Sequence, residues 1–186
     1  LSKPCNVYDL GCSTGKFLKS LRIRNKEKKI NFYGVDEIKD MCKIAKKNTS
    51  KFHNVKIINS QIEKLKFKNA AFITSYYTIQ FLHPSTRQKV FDRIFKSLNW
   101  GGAFLFFEKV RAPDARFQDI ITQIYTDYKI EQGYSSEEIL SKSKSLKGIL
   151  DPYSSSANIL MLKRAGFKDI TSVFKFLCFE GFLAIK

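Results

Sequence analysis

The sequence Asn6-Val7-Tyr8-Asp9-Leu10-Gly11-Cys12-Ser13-Thr14-Gly15 carries three structural signals in one short run. Its first half reads as a short buried strand, and Gly11 to Gly15 as a glycine-bracketed turn. Beyond them starts a helix running through Phe17, Leu18 and Leu21. Glycine at both ends of such a turn lets the backbone approach a ligand closely. N–H groups left free at the turn and the helix start favour an electron-rich partner.

The spacing narrows the ligand. Dinucleotide-binding loops read G-x-G-x-x-G, with the middle glycine against a pyrophosphate. Here the pattern is G-x-x-x-G, with Cys12 and Ser13 in the middle. A triphosphate loop needs G-K-[ST], but Lys16 is followed by Phe17. The common ligand that remains for a strand-turn-helix of this form is S-adenosylmethionine, its methionine carboxylate at the turn. Asp36 follows the apolar run Ile30–Val35, about 20 residues beyond the turn, where nucleoside-binding α/β folds place an acid on the ribose hydroxyls. Asp36 also reads as a cap for a helix over Ile38–Asn48.

A chain of 186 residues suits one α/β domain with a sizeable core. No stretch approaches about 18 uninterrupted apolar residues, so no membrane span is expected. The opening Leu1-Ser2-Lys3-Pro4 has no secretory signal and runs straight into a strand. It leaves the site uncovered from the N-terminal side, and a leading lid segment is expected ahead of Leu1. Cys5, Cys12, Cys42 and Cys178 have no C-x-x-C spacing, and only His53 and His83 could join them on a metal. Scattered thiols of this kind point to a reducing, cytosolic (cytoplasmic) setting, with neither zinc nor disulfides. Cys12 is expected to be a small packing residue rather than a nucleophile. The formal net charge of +16, from 33 Lys+Arg against 17 Asp+Glu, favours polyanionic partners, nucleic acid among them. Most of the excess is lysine, densest at Lys26-Glu27-Lys28-Lys29 and over Lys39–Lys51, without arginine–aromatic interleaving. Solvated lysine faces account for it as readily.

Strand and helix signals alternate, as in a mainly parallel sheet with helices on both faces. Strands are expected over Asn6–Leu10, Ile30–Val35, Val55–Asn59, Ala70–Ser75 and Ala103–Phe107. Helices are expected over Gly15–Arg24, over Ile38–Asn48, and from Pro84 through Val90, Phe91, Ile94, Phe95 and Leu98. Asn99-Trp100-Gly101-Gly102 should end that helix and turn the chain. Further helices fall over about Asp114–Ile130, Ser136–Leu146 and Ala157–Ala165, the last with Ser156 as N-cap and Gly166 as stop. Ile170–Phe174 and Leu177–Ile185 have no helix between them and should pair as an antiparallel hairpin. The expected fold is α/β: one domain over residues 1–186, with the seven-stranded, mainly parallel, Rossmann-like sheet of class I methyltransferases.

Val7-Tyr8-Asp9-Leu10-Gly11-Cys12-Ser13 is followed by Ile79-Gln80-Phe81-Leu82 with Pro84 and Arg87-Gln88. Leu98-Asn99, Gly101-Gly102-Ala103, Glu108-Lys109, Asp127-Tyr128-Lys129, Gly133-Tyr134-Ser135, Glu138-Ile139, Lys163 and Ala165-Gly166-Phe167 come next. In this order, across nearly the whole chain, these segments resemble the carboxy-S-adenosylmethionine synthase family. The resemblance implies an enzyme that binds S-adenosylmethionine and uses prephenate to convert the methyl sulfonium into a carboxymethyl sulfonium. It implies a homodimer, and helices before the first strand that help close the site. A partner enzyme then transfers the group to hydroxylated wobble uridine in tRNA. Position by position, the resemblance puts Gly11, Cys12 and Ser13 at the methionine portion, in the turn that Gly15 closes. It puts Asp36 and Glu37 at the ribose, and Gln61 and Ile62 at the adenine.

Three departures stand out. Gln61 replaces an acid, though its amide oxygen can still accept from the adenine amine. Tyr76 replaces the family's asparagine after the fourth strand. The family's Lys-Arg pair beyond Gly133-Tyr134-Ser135 is Lys142-Ser143 here. A new carboxylate on the sulfonium calls for a forked, pre-organised cation; serine has no charge, and Lys142 and Lys144 are the cations at hand. Three functions therefore stand open: carboxy-S-adenosylmethionine synthesis, ordinary methyl transfer to an unknown acceptor, and a non-catalytic nucleotide-binding or scaffold role. Tyr76, Tyr77, Gln80, His83 and Glu108 are candidates to line the site. Against that, Tyr77 and Phe81 also read as core, His83 as a solvated turn residue and Glu108 as a strand-end cap. No catalytic base is assigned.

Overall fold

Cys5 and Val7 pack on one side of the first strand and Tyr8 and Leu10 on the other, all buried. Burial on both faces puts a strand in the interior of a sheet. The computed structural model describes residues 5–26 and 29–186. The opening Leu1–Pro4, and Glu27 and Lys28 of the lysine-dense run, lie outside the described residues. The strands are β1 (Cys5–Leu10), β2 (Ile30–Asp36), β3 (Val55–Asn59), β4 (Ala70–Tyr76), β5 (Leu98–Lys109), β6 (Asp169–Phe176) and β7 (Phe179–Ile185). They form one seven-stranded sheet in the order β3-β2-β1-β4-β5-β7-β6. The first five run parallel, and β7 lies antiparallel to both β5 and β6. This is the expected Rossmann-like sheet with its C-terminal hairpin.

The helices are α1 (Lys16–Arg24), α2 (Lys39–Thr49), α3 (Pro84–Ser97), α4 (Ala115–Glu131), α5 (Ser136–Leu146) and α6 (Ser155–Ala165). Leu18 and Leu21 of α1 cover Val7 and Phe32 on one face. On the other, α3 (Val90, Phe91, Ile94) and α6 (Leu162) cover Phe104, Phe106 and Phe182. Phe91 meets Phe104 and Phe106 edge-on at 5.6 and 5.3 Å, the geometry aromatic quadrupoles favour. No helix among the described residues is long and apolar enough to cross a membrane.

Two boundaries differ from expectation. Leu98 is extended (φ −66°, ψ 137°) and opens β5 rather than closing α3. The turn expected over Asn99–Gly102 is an irregularity within that strand. Ala70 pairs with Leu98 but Phe72 with Ala103, so residues 99–102 are thrown out of register. Gly101 takes φ 74° there, and Trp100 is 91% exposed. Pairing with β4 on both sides overrides the local turn chemistry. α6 also begins earlier than expected, with Ser154 as its N-cap; its hydroxyl accepts from the Ala157 amide at 3.2 Å. Gly166, at φ 120°, stops the helix as expected.

Among the described residues one cation sits fully inside. Arg87 is 2% exposed; it donates to the carbonyls of Leu82, Gln80 and Asp151 at 2.9, 2.9 and 2.7 Å. Its guanidinium covers the Tyr153 ring at 4.4 Å. It thereby ties the single 3-10 turn Ile79–Phe81 after β4 to the segment leading into α6. Arg87→Met leaves those carbonyls without a donor and should cost about 3 kcal/mol. Urea denaturation should show a lower midpoint at unchanged slope; an unmoved midpoint would remove Arg87 as a structural tie.

Candidate functional site

The turn after β1 is held from within. The amides of Gly11 and Cys12 both donate to the Val35 carbonyl, at 2.8 and 3.0 Å. The Ser13 amide donates to Asp36 Oδ2 at 2.8 Å, and the Gly15 amide to the Cys12 carbonyl at 2.8 Å. These four amides, expected to be open to a ligand, are thus engaged with the protein. The start of α1 remains for an electron-rich group, since its N-cap, Gly15, contributes no capping side chain. Gly11 is required twice over: its φ is 75°, and a Cβ there would fall 2.1 Å from Thr78 Oγ1.

Both oxygens of the Asp36 carboxylate are held by backbone amides, but Asp36 does not cap α2, whose N-cap is Ile38 with no side-chain cap hydrogen bond. Oδ1 accepts from the Ile38 amide at 2.9 Å, at the entry to α2, while Oδ2 accepts from Ser13. An ionised carboxylate has about four acceptor sites, so capacity remains for ribose hydroxyls. Glu37 is exposed beside it, with its carbonyl accepting from Asn59 Nδ2 at 2.9 Å. Gln61 is exposed after β3, whereas Ile62 is 6% exposed and packs in the main core. Gly11, Cys12, Ser13, Gly15, Asp36, Glu37, Gln61, Ile62 and Tyr76 thus gather at the C-terminal ends of β1 to β4.

A further residue, Asp9, received no role from the sequence. Its carboxyl is 2% exposed, and Oδ2 has no hydrogen-bond partner in the structure. Burial, and then the charge of Asp36, push its pKa up to about 7. The signal was there: an acid in a mainly apolar strand, two residues before Gly11. An orphaned buried acceptor at this place fits a ligand bearing a cationic amino group. Together with Asp36 and the uncapped start of α1, it fits S-adenosylmethionine. Cys12 is buried, and burial, followed by Asp9 and Asp36, pushes its thiol well up. It is a packing residue, as expected. Among the described residues, no group of three or more His, Cys, Asp or Glu could hold a metal.

Beyond β4 the wall turns aromatic. Tyr76 stacks on Phe107 at 4.4 Å and tilts against Phe17 at 4.8 Å. Tyr77, in the left-handed region at φ 51°, donates its amide to the Phe107 carbonyl at 2.8 Å. Tyr77 and Phe81 are 36% and 45% exposed, so the core reading of both is corrected. They line a cavity of about 1390 Å³ together with residues of α4, α5 and the β6–β7 turn. Lys142, Ser143 and Lys144 line that same cavity. The adjacent Tyr76 and Tyr77 therefore connect the turn site to the cavity.

Gln80 and Glu108 brace this junction. Gln80 Oε1 accepts from the Lys109 amide at 2.9 Å, and Glu108 Oε1 from the Ile79 amide at 3.1 Å. Burial lifts Glu108 to about 8; it holds the 3-10 turn rather than capping a strand end. His83 is exposed, with Nδ1 2.8 Å from Ser85 Oγ, as a turn residue at the head of α3.

The two raised carboxyls set a pH dependence. Between about pH 4 and pH 7 the folded state keeps a proton on Asp9 that the unfolded chain has released. Glu108 extends the same imbalance to about pH 8. Stability falls with pH wherever the folded state binds more protons. The melting temperature should therefore fall across this window, and Asp9→Asn should flatten the slope. A melting temperature that stays level or rises would contradict the burial assigned to both groups.

A family model described as a methyltransferase domain matches residues 7–102. The carboxy-S-adenosyl-L-methionine synthase of Staphylococcus epidermidis is 40% identical over 181 residues, covering 97% of this chain and 78% of that protein. The enzyme of the same name from Campylobacter lari is 42% identical over 182 residues, 97% of this chain and 76% of that protein. Among solved structures, a SAM-dependent methyltransferase from Aquifex aeolicus aligns at 18% identity with a TM-score of 0.66, over 100% of this chain and 84% of that one. That likeness shows the fold. The chain belongs to the carboxy-S-adenosyl-L-methionine synthase family, within the methyltransferase-domain proteins, and is a transferase dependent on S-adenosylmethionine.

Proposed function

We propose that the protein converts S-adenosylmethionine and prephenate into carboxy-S-adenosylmethionine, the group donor for wobble-uridine modification in tRNA. The supporting observation is that the lysines flanking Ser143 line the cavity that begins at Tyr77, beside the turn site. Cations are thus present where the family's arginine is missing.

S-adenosylmethionine supplies a sulfonium whose methyl group is the carbon to be modified. Asp36 accepts from the ribose hydroxyls, and the orphaned Asp9 oxygen takes the amino group. The start of α1 receives the methionine carboxylate, and the Gln61 amide accepts from the adenine amine. Tyr76, stacked on Phe107, shields the neighbourhood of the sulfonium from water. Lys142 and Lys144 hold the new carboxylate as point charges, without the bidentate geometry of a guanidinium. On this reading the protein is a cytosolic homodimer that hands its product to a separate transferring enzyme. Direct RNA contact by its lysine-rich surface is not required.

Ser143 itself favours a second reading, methyl transfer to another acceptor, since the forked cation is absent. Mass spectrometry of the small molecules released on denaturation, with and without added prephenate, separates the two. A carboxylated adduct supports synthesis. S-adenosylmethionine or its demethylated product, indifferent to prephenate, supports methyl transfer. No nucleoside at all would leave a scaffold role. Ser143→Arg should raise the carboxylated yield, and Asp36→Ala should weaken S-adenosylmethionine binding at least about tenfold. Equal binding by Asp36→Ala would remove Asp36 from the ribose.

A further inference from the structure

Lys109 and Lys129 approach one aromatic ring from two different elements. Lys109 ends β5 and Lys129 lies in the last turn of α4; their ammonium nitrogens stand 5.4 and 4.6 Å from the Tyr125 centroid. Both residues are half-buried. Among the described residues the ion pairs are Lys43–Asp40, Arg111–Asp151 and Lys175–Glu180, and neither lysine enters one. Like charges held together away from bulk water repel. Burial first, and then Lys109, depress the Lys129 ammonium.

The surroundings do not neutralise them. Lys109, Arg111, Lys129, Lys142, Lys144 and Lys147 line the cavity, against Glu138 as the single acid in its lining. Glu138 is already committed, accepting from the Ser135 amide at 2.8 Å in the capping box of α5. Arg111 lies 3.5 Å from Asp151. Between the lysines and Tyr76 the wall is made of rings: Tyr77 and Tyr125 each meet Phe179 edge-on, at 5.5 and 5.2 Å. Paired ammoniums without a counter-ion, next to an aromatic wall, complement a small carboxylic acid carried on an unsaturated ring.

We propose that Lys109, Lys129 and Tyr125 form a carboxylate subsite for such a ring acid, separate from the Lys142–Lys144 stretch of α5. It holds the acid group of the second substrate while Tyr77 and Phe179 bed the ring. This assignment rests on the reading of the protein as an enzyme that takes a ring acid alongside S-adenosylmethionine.

Ligand-observed saturation-transfer NMR on the full chain tests it, with phenylacetate, neutral phenylacetamide and prephenate as probes. S-adenosylmethionine binding is followed in parallel by calorimetry. Phenylacetate and prephenate should bind in preference to the amide. Lys109→Met and Lys129→Met should each weaken them at least about tenfold, the scale of a lost charged hydrogen bond. Both variants should keep the parent's melting temperature and S-adenosylmethionine affinity, and Lys129→Arg should retain acid binding. The proposal is overturned by equal binding of acid and amide, by undiminished acid affinity in both methionine variants, or by no acid signal from the parent. Inorganic phosphate displacing the acids, with no preference for a ring, would overturn it in favour of a phosphate pocket. A parent that binds the acids through these lysines but does not bind S-adenosylmethionine would unseat the proposed reaction and leave the subsite standing.

Discussion

The Val35 carbonyl, accepting from both Gly11 and Cys12, is the contact on which the site's geometry depends. It folds the turn after β1 onto the end of β2, and this brings the Ser13 amide to Asp36. The fold-back is possible only because Gly11 sits at φ 75° against Thr78 with no side chain of its own. One carbonyl thus fixes the separation between the turn after β1 and Asp36 at the end of β2. It also occupies amides that other anion-binding turns leave open.

The two buried carboxyls near this turn show how alike groups can be put to different ends. Glu108 is 3% exposed but has a partner in the Ile79 amide, so its burial organises backbone. Asp9 is just as buried, yet one of its oxygens is unpaired. Leaving such an acceptor unmade costs about 1–3 kcal/mol. An unpaired acceptor buried near the C-terminal end of β1 fits a partner supplied from outside the chain.

The sheet was legible because strand alternation, glycine punctuation and helical spacing all agree along the chain. Where they disagree, tertiary pairing wins. Gly101 signals a turn, but β4 pairs with β5 on both sides of it, and the turn becomes a bulge. Ser156 reads as the N-cap of α6, but the hydroxyl that reaches the Ala157 amide belongs to Ser154. Arg87 received no structural role from the sequence, since nothing local reveals the carbonyls of Gln80, Leu82 and Asp151 that converge on it. Tyr77 and Phe81 read as core because apolar spacing alone does not separate a packed interior from a cavity wall. The turn after β1 and the place of Asp36 at the end of β2 were legible from spacing. Asp9 was quoted in the motif but given no role, because an unpaired oxygen is a property of three-dimensional surroundings.

The charge excess takes on a different meaning in the folded chain. In one dimension, +16 reads as affinity for polyanions or as solvated faces. In three dimensions, five lysines and an arginine line one cavity with a single acid that is already engaged. A guanidinium fixes a carboxylate through a rigid fork, whereas several ammoniums fix it through a field that tolerates small displacements. A wall of ammoniums with Ser143 among them therefore offers breadth of field rather than a fixed orientation. Such a field draws an anion in without fixing its angle. Tyr77 and Tyr125, each edge-on to Phe179, are the rigid surfaces of the same cavity against which the angle of a bound acid would be set.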